Sequence, residues 1–495
     1  MPGLRAPSIS KPIPAPIFAV TWHTSPPLLP THVYACSGGG GSAKTGVNNF
    51  IEVVITSPEH GETNIKIDTG NDVGVALDLF SFESSKNGDK GHKAVTLFLA
   101  VGIQDSVKVY KILVNANNDE DIYNSVKMVG SLEFERGFLT NSVAFDSLGI
   151  RIAVGGENGA VYVCGIEWDD QSEEKMDIQK EIELTGQHIK GICKVTYHPT
   201  NPKILLSSAK DGTCKVWDLS KGPDERCLDT LDCKIFDPKD LSAGKKIPKK
   251  ILSPAPGQCL VKGCVFADLQ GQFIFTVQSG RRGQSFLSVW KIARVPIIQG
   301  QINSPGQTQT LSNSEESQPQ QPPKFKLVFQ EVNRICVAEF PISAVSLSGD
   351  FSTLVLGDTN GSVMLLNTET FKKIKYWEAV HDLPVTCLAA RPLPIPLAGE
   401  DKIGITVDAI CSSADSKMCF LTKQRKSTLK PVRKGGRSGG GSISYYLTLI
   451  FAVIWMVFAT KITHDICSND LSLDCIIHTV WWAKKDRPGI ASVPI

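Results

Sequence analysis

Residues 37–50, SGGGGSAKTGVNNF, have the composition of a binding loop, because four glycines lead into Lys44 and Thr45. A phosphate-binding loop has the pattern G-x-x-x-x-G-K-[ST] and runs into a helix whose N-terminus helps to hold the phosphates. Here Ala43 stands where the second glycine is required, and the β-branched segment that follows, FIEVVITS, predicts a strand. The dinucleotide pattern G-x-G-x-x-G fails for the same reason. Nucleotide hydrolysis by this loop is therefore disfavoured.

The oxygen atoms of the loop suit a different ligand. No Asp or Glu lies between residues 37 and 49, which disfavours a magnesium or calcium site. The loop offers unhindered backbone carbonyls and the side-chain oxygens of Ser42, Thr45, Asn48 and Asn49. Carbonyl rings bind weakly hydrated monovalent cations in ion channels, so such a cation is the predicted ligand. A plain hairpin loop stays open as the alternative, although ordering four glycines costs more entropy than a connector requires.

Short alternating strands joined by tight turns occupy most of the chain around this loop. Period-two alternation beside D-G, N-G or Gly-rich turns is the sequence form of a β-hairpin. Six hairpins are predicted, at residues 96–112, 151–166, 203–219, 273–292, 353–367 and 409–421. The turn residues Asp105, Asn158 and Asp211 lie 53 residues apart. A regular period of this kind is typical of a β-propeller.

A further unit around residues 33–56 brings the number of repeats to seven. The predicted fold class is all-β, a seven-bladed WD-type β-propeller over residues 1–433 followed by one transmembrane α-helix. Six or eight blades stay open because the motifs are weak. A strand at residues 17–20 is predicted to close the ring by joining the last blade. Residues 300–323 are polar and Pro-rich and predict a disordered insertion.

One unit closely resembles a WD repeat. Gly186 and His188, the strand KVTYHP and the segment SSAKDGTCKVWD follow the G-H to W-D order of that repeat. The resemblance implies a buried hydrogen-bonded tetrad formed by His188, Ser207, Asp211 and Trp217, and it places Trp290 at the Trp position of the next unit. A His, an Asp and a Ser also make a catalytic triad, but the intervals here are those of the repeat. A structural role is therefore predicted for the tetrad, and no catalytic residue is predicted.

Residues 443–460, ISYYLTLIFAVIWMVFAT, form an uncharged apolar run. As a helix it spans roughly 27 Å, which suits the thin bilayer of the endoplasmic reticulum. Seven Lys and Arg lie within residues 423–437, whereas only Lys461 lies within the twenty residues after the run. The positive-inside rule then places the propeller and the Gly-rich linker at 434–442 in the cytosol and the tail at 461–495 in the lumen. A buried core helix is the alternative, and Cys467 and Cys475 can pair only where the far side is oxidising.

Charge and metal-binding residues disfavour other classes of protein. The chain has 52 Lys and Arg against 50 Asp and Glu, so it presents no strong field for nucleic acid, and its dense basic cluster lies beside the apolar run. Its 14 cysteines include no C-x-x-C pair and its nine histidines no H-x₃₋₅-H pair. Zinc binding therefore has little support.

The string CSGGGGSAKTGVNNFIEV, a WD-type propeller and a single C-terminal span together resemble the endoplasmic-reticulum exchange factors that start COPII coat assembly. The resemblance covers roughly residues 15–460, and the glycine loop is its most distinctive part. In that family the loop projects from the propeller, binds a potassium ion and engages a Sar-type small GTPase, whose nucleotide site it opens. The tail at 461–495 and the insertion at 300–323 align with no feature of the family.

The resemblance implies an exchange factor without covalent chemistry. It implies potassium as a cofactor, a Sar-type GTPase and the endoplasmic-reticulum membrane as partners, and other COPII components as indirect partners. The GTPase-engaging residues that it implies are Gly38, Gly39, Gly40, Gly41, Ser42, Ala43, Lys44, Thr45, Gly46, Val47, Asn48 and Asn49. The potassium ligands that it implies are backbone carbonyls within Gly38, Gly39, Gly40, Gly41, Ser42 and Ala43.

Two other functions stay open. The first is a membrane-tethered propeller scaffold without exchange activity. The second is a DNA-binding transcriptional regulator, the role for which some family members are named. DNA binding calls for a basic face or a groove-entering helix, and the sequence predicts neither.

Overall fold

The computed structural model describes residues 8–23, 32–41, 46–57, 61–82, 94–115, 125–168, 175–233, 259–280, 283–296, 325–392 and 407–422. The chain divides into a unit at Met1–Arg425 and a unit at Lys426–Ile495, and the described residues belong to the first. The predictions for residues 300–323, 434–442, 443–460 and 461–495, including Cys467 and Cys475, lie outside these segments. Within the described segments no helix has the length and apolarity needed to cross a membrane.

Twenty-eight β-strands make up nearly all of the described structure. In chain order they are β1 (Ser8–Pro12), β2 (Ile17–Trp22), β3 (His32–Gly38), β4 (Asn49–Ser57), β5 (Gly61–Gly70), β6 (Gly74–Phe82), β7 (Ala94–Ile103), β8 (Ser106–Asn115), β9 (Ser125–Glu133), β10 (Thr140–Phe145), β11 (Arg151–Gly156), β12 (Val161–Trp168), β13 (Met176–Leu184), β14 (Ile192–Tyr197), β15 (Ile204–Ala209), β16 (Thr213–Asp218), β17 (Cys227–Asp232), β18 (Cys259–Phe266), β19 (Phe273–Gly280), β20 (Ser285–Pro296), β21 (Phe325–Ala338), β22 (Ile342–Leu347), β23 (Thr353–Asp358), β24 (Val363–Asn367), β25 (Lys373–Trp377), β26 (Val385–Ala390), β27 (Val407–Ser413) and β28 (Lys417–Thr422). One short 3₁₀ helix, Pro223–Glu225, is the only helix in the described segments.

The strands form seven four-stranded antiparallel sheets, which are the blades of a propeller. Blades 1 to 6 each take four consecutive strands, beginning with β2, β6, β10, β14, β18 and β22, and blade 7 contains β26, β27, β28 and β1. The first strand of each blade contacts the first strands of both neighbours, and β2 contacts β26. The ring is therefore closed with seven blades, which confirms that number over six or eight.

The six predicted hairpins are confirmed as the two middle strands of blades 2 to 7, for example β11 with β12 and β15 with β16. Apolar clusters fill the space between every pair of neighbouring blades, so both faces of a middle strand are covered. Leu205 packs toward blade 3, whereas the next residue, Leu206, packs toward blade 5. Burial on both faces explains why these strands are more continuously apolar than a half-exposed strand.

The strand that closes the ring is not the predicted one. β1 (Ser8–Pro12) pairs with β28 as the outer strand of blade 7, whereas β2 (Ile17–Trp22) is the innermost strand of blade 1. Ile17 is completely buried, as an inner strand requires. An outer strand has a free edge and tolerates proline at its end, which is why Pro12 is accommodated in β1. The prediction that residues 17–20 join the last blade was therefore wrong.

Candidate functional site

The glycine loop connects the second and third strands of blade 1, β3 and β4. The strand β4 follows the loop directly, which confirms that no helix begins there. Because consecutive strands of a blade are antiparallel, the loop lies at the same end of the ring as the connection from each blade to the next. The structure describes loop residues 38–41 and 46–49, while Ser42, Ala43, Lys44 and Thr45 lie outside the described segments.

The side chain of Asn49 ties the two ends of the loop together. Its Oδ1 accepts the N–H of Gly41 at 2.9 Å, and its Nδ2 donates to the carbonyl of Gly41 at 3.0 Å. The same Nδ2 also donates to the carbonyl of Gly70 at 3.0 Å, at the end of β5. Asn49 is 2% exposed. A buried amide with three partners fixes the start of the loop relative to its end and to the outer strand of the blade.

Two backbone hydrogen bonds hold the first glycines. The N–H of Gly39 donates to the carbonyl of Pro16 at 3.0 Å, and the N–H of Gly40 donates to the carbonyl of Val47 at 3.3 Å. Pro16 belongs to the connection between β1 and β2, where the ring closes. Val47 packs against the apolar cluster between blades 7 and 1. The loop is therefore anchored to the point of ring closure.

Glycine is required at the first two loop positions for reasons of space. A Cβ on Gly38 would lie 2.4 Å from the carbonyl oxygen of Pro16 and 2.6 Å from Ile17. Gly39 has φ +145°, and a Cβ there would lie 2.2 Å from Oδ1 of Asn49. Real Cβ atoms do not approach so closely, so a side chain at either position would displace the contacts that hold the loop.

The hydrogen bonds of the glycine N–H groups determine where two carbonyls of the loop point. The described segments contain no cis peptide bond. In a trans peptide the carbonyl points away from the following N–H. Since the N–H of Gly40 and the N–H of Gly41 point to acceptors inside the loop, the carbonyls of Gly39 and Gly40 point away from those acceptors. The carbonyl of Gly41 is paired with Asn49 but keeps a second lone pair.

A cleft of about 460 Å³ lies beside the loop. It is lined by Pro14 and Ala15 from the ring closure, by residues 46–50 and by residues 66–68 of β5. The ammonium group of Lys66 lies 4.4 Å from the centre of the Phe50 ring. Asn48 and Gly46 are exposed at the border of the cleft. The cleft and the loop thus form one continuous surface at this end of blade 1.

The four tetrad residues lie together in blade 4. Nδ1 of His188 is 3.1 Å from Oδ2 of Asp211, and Nε2 of His188 is 2.8 Å from Oγ of Ser207. The indole N–H of Trp217 donates to the same Ser207 oxygen at 2.8 Å. Burial raises the pKa of Asp211, but hydrogen bonds from His188 and Thr213 outweigh it and leave that pKa well below its usual range. The four residues thus connect the segment before β14, the strand β15, the turn between β15 and β16, and the strand β16.

Trp290 and a second histidine complete the pattern. The indole N–H of Trp290 donates to Thr276 at 2.9 Å, in the same register as Trp217 and Ser207, as the repeat implied.

In blade 7, Nδ1 of His381 is 3.1 Å from Asp415, and Nε2 is 3.3 Å from Sγ of Cys411. The sequence interpretation missed this group because a cysteine stands in the serine position and no G-H or W-D pair marks it. The spacing of Cys411 and Asp415, equal to that of Ser207 and Asp211, was the available signal.

Comparisons with known proteins agree with the architecture. The family described as "WD domain, G-beta repeat" matches residues 180–218, which contain the tetrad. The GATOR2 complex protein Wdr24 of Drosophila melanogaster is 27% identical over 144 residues, 29% of this chain and 16% of that protein. Coronin-7 of Homo sapiens is 34% identical over 88 residues, 17% of this chain and 9% of that protein. The chain thus matches less than a fifth of the length of these curated relatives.

Solved structures resemble the chain over a larger part of its length. The superposition on Raptor of Chaetomium thermophilum has a TM-score of 0.50 at 12% identity. It covers 84% of this chain and 28% of the Raptor chain. Sqt1 of Chaetomium thermophilum, bound to the N-terminus of the ribosomal protein L10, has a TM-score of 0.49 at 14% identity, with coverages of 83% and 97%. At such identity the likeness to Raptor concerns the fold alone. The chain is a seven-bladed β-propeller that contains a WD repeat.

Proposed function

We propose that the chain is a guanine-nucleotide exchange factor for a Sar-type small GTPase and starts COPII coat assembly at the endoplasmic reticulum. The glycine loop, residues 38–49, is the element that engages the GTPase. The observation that supports this proposal is the fixation of the loop by Asn49, by the Pro16 carbonyl and by the packing of Val47. A loop that only connected two strands would not need a buried asparagine with three hydrogen bonds.

Preorganisation is what an exchange loop requires. An exchange factor binds nucleotide-free GTPase more tightly than nucleotide-bound GTPase, and by linkage it weakens nucleotide binding by the same factor. A thousandfold effect corresponds to about 4 kcal/mol of differential binding. Ordering a run of glycines at the moment of contact would consume much of that free energy. Because both described ends of the loop are already held, little of this ordering cost remains there.

A potassium ion is proposed as the second element that fixes the loop. Backbone carbonyls within residues 38–43 would hold it, among them the Gly39 and Gly40 carbonyls that point away from the hydrogen bonds of the loop. When bound, the ion supplies a rigid shape and no chemistry of its own. Exchange is then expected to be faster in potassium than in a large organic cation at equal ionic strength. Equal rates in the two salts would refute the role of the ion.

Location completes the proposal. The apolar run at 443–460 is proposed to anchor the chain in the endoplasmic-reticulum membrane, with the propeller in the cytosol and residues 461–495 in the lumen. A tether raises the effective concentration of the propeller at that membrane, so GTPase is activated where the coat assembles. Protease protection of a C-terminal tag in sealed microsomes tests this topology. Digestion of the tag from outside the vesicles would contradict it.

Binding of the GTPase in its two states tests the proposed function. The full chain in detergent micelles is titrated with a Sar-type GTPase, either loaded with GDP or stripped of nucleotide. Much tighter binding of the stripped form is expected, because this difference is the source of exchange. Equal affinity for both forms would favour the second candidate below, and no binding of either form would remove the GTPase as a partner.

The second candidate function is a WD-repeat scaffold without exchange activity. It is favoured by the similarity to Wdr24, which is described as a protein of the GATOR2 complex. A scaffold would use the surface around the loop for stable association rather than for nucleotide release. The two functions therefore differ in whether binding depends on the nucleotide.

A further inference from the structure

Two cysteines lie directly opposite each other in blade 7. Cys411 of β27 is in register with Cys419 of β28, and Sγ of Cys411 is 3.7 Å from the carbonyl oxygen of Cys419. In the described sheets this is the only pair of cysteines in register. Opposed residues of antiparallel strands have Cα atoms about 4.5–5.5 Å apart, within the range that a disulfide bridges. Both side chains belong to the cluster between blades 6 and 7.

His381 provides a base beside this pair. Nδ1 of His381 is 3.1 Å from both carboxylate oxygens of Asp415, so in the neutral ring Nδ1 carries the proton and Nε2 is the acceptor. Nε2 lies 3.3 Å from Sγ of Cys411, within reach of the proton that this thiol gives up when it reacts. Burial lowers the pKa of His381, although the charge of Asp415 opposes this shift, so the resting ring is neutral and Nε2 carries a lone pair. In blade 4 the serine hydroxyl of Ser207 holds the corresponding position.

The two thiols differ in acidity. A hydrogen bond from Cys411 lowers the pKa of Cys419 despite burial. Burial and the neighbouring Cys419 raise the pKa of Cys411 well above its usual range. In a redox-active dithiol one thiol ionises more readily, while the second thiol keeps its proton and lies beside a base. Cys419, Cys411 and His381 have this arrangement.

We propose that Cys411 and Cys419 are a redox-active dithiol that peroxide converts to a cross-strand disulfide. The Cys419 thiolate attacks one oxygen of hydrogen peroxide, which breaks the O–O bond and gives a sulfenic acid and hydroxide, and the proton that Cys419 has lost converts this hydroxide to water. The Cys411 sulfur then attacks the Cys419 sulfur and displaces hydroxide, while His381 accepts the Cys411 proton and passes it to the hydroxide. The balance is two thiols and one peroxide to one disulfide and two waters.

Access to the pair runs through the closing strand. Cys411 and Cys419 are 0% and 1% exposed, and Ser10 of β1 lies opposite Cys419 on its other side. Among the described residues, no group of three or more His, Cys, Asp or Glu side chains is arranged to hold a metal ion. Local release of the outer strand, which has only one neighbour in its sheet, is the step that exposes Cys419 to peroxide. The disulfide would then tie β27 to β28 covalently.

Peptide mapping after oxidation tests this proposal. The full chain is treated with graded hydrogen peroxide, the free thiols are alkylated, and disulfide-linked peptides are identified by mass spectrometry. The exposed Cys336 serves as an internal measure of oxidant dose. A linked Cys411–Cys419 peptide that dithiothreitol removes is expected. The proposal is wrong if Cys336 is oxidised while Cys411 and Cys419 stay reduced and are recovered as alkylated thiols. It is also wrong if Cys411 or Cys419 is linked to a different cysteine.

Cys411→Ser is the matched variant, because it places in blade 7 the serine that His188 contacts in blade 4. It should keep the thermal transition of the parent protein and lose the linked peptide completely. If this variant does not fold, Cys419→Ala removes the same linkage without touching the His381 contact. Persistence of a peroxide-induced link at the remaining cysteine in either variant would contradict the assignment.

Discussion

Asn49 pairs with both backbone polar groups of Gly41, accepting its N–H at 2.9 Å and donating to its carbonyl at 3.0 Å. One side chain thus closes a loop eight positions long and replaces a pair of backbone hydrogen bonds. The neighbouring Asn48 is exposed and makes no such closure among the described residues. Two adjacent asparagines therefore have separable roles, one inside the blade and one at its surface.

Asn49→Ala should destabilise the propeller and abolish exchange. Each buried hydrogen bond contributes about 1 kcal/mol, and three are lost, so a decrease of about 2–3 kcal/mol in the free energy of unfolding is expected. Urea denaturation of the full chain measures this change. Asn48→Ala is the matched control and should change stability by less than about 0.5 kcal/mol. An equal loss of stability in both variants would contradict the assignment of Asn49 as the residue that closes the loop.

Gly38→Ala should be among the most damaging alanine substitutions in the loop. The new Cβ would meet the Pro16 carbonyl oxygen at 2.4 Å, so the ring-closing connection must shift, at a cost of about 2–3 kcal/mol. Gly222→Ala is the control, because Gly222 has φ −62° and an added Cβ there meets open space. That variant should be as stable as the parent or slightly more stable. Thermal melts of both variants are compared with that of the parent. A loss of stability in Gly38→Ala alone indicates a steric clash, whereas an equal loss in both variants would mean that replacing any glycine destabilises the protein.

Ser207→Ala should destabilise blade 4 by about 2–3 kcal/mol. Without the hydroxyl, the indole N–H of Trp217 and Nε2 of His188 lose their shared partner in a buried site. Ser220→Ala, on an exposed turn of the same blade, is the control and should be nearly neutral. Chemical denaturation gives both values. A nearly neutral Ser207→Ala would mean that the tetrad does not stabilise the blade.

The Asp78 carboxyl should give the stability of the protein a dependence on pH. Burial raises its pKa to about 6, although hydrogen bonds from the N–H groups of Phe145 and Leu79 and the charge of Lys194 oppose this shift. The folded state then binds more protons than the unfolded state between pH ~4 and ~6, so the contribution is favourable below that window and is lost as pH rises through it.

Asp78→Asn keeps an acceptor for Phe145 and removes the titration. The free energy of unfolding of the variant minus that of the parent should therefore increase from pH 4 to pH 6, by at most about 1.4 kcal/mol per pH unit, and stay constant above. Comparing the two proteins cancels the opposite trend of Asp211, whose lowered pKa makes stability fall in acid. A difference that is flat across pH would show that Asp78 has an ordinary pKa in the fold.

The parts of the fold that the sequence could predict are those with local signals. Three of the middle hairpins were recognisable because their turns carry N-G or D-G, at residues 158–159, 211–212 and 360–361, and the others because two apolar strands flank a short polar or Gly-containing turn. The tetrad was recognisable because His188, Asp211 and Trp217 follow the WD order. The closing strand was assigned wrongly because pairing between β1 and β28 joins residues about 400 positions apart, and no local pattern specifies such a partner. Ring closure is determined by the number of blades that fit, which is a property of the whole chain.

The candidate site divides in the same way. Four successive glycines marked the loop, but the partners of the loop did not follow from its sequence. Pro16 and Gly70 are brought to Gly39 and Asn49 only by the completed blade. The blade-7 group of His381, Cys411 and Asp415 was missed because a cysteine replaces the serine of the repeat, so its position is visible only once the strands are aligned.

Release of labelled GDP from a Sar-type GTPase tests the central proposal most directly. The full chain in micelles is added to GTPase carrying fluorescent GDP, with excess unlabelled nucleotide, and the release rate is compared with that of the GTPase alone. The parent protein should accelerate release strongly, Asn48→Ala should weaken the effect while the protein stays folded, and Gly222→Ala should match the parent. An unchanged release rate in the presence of folded parent protein would contradict the proposed exchange activity.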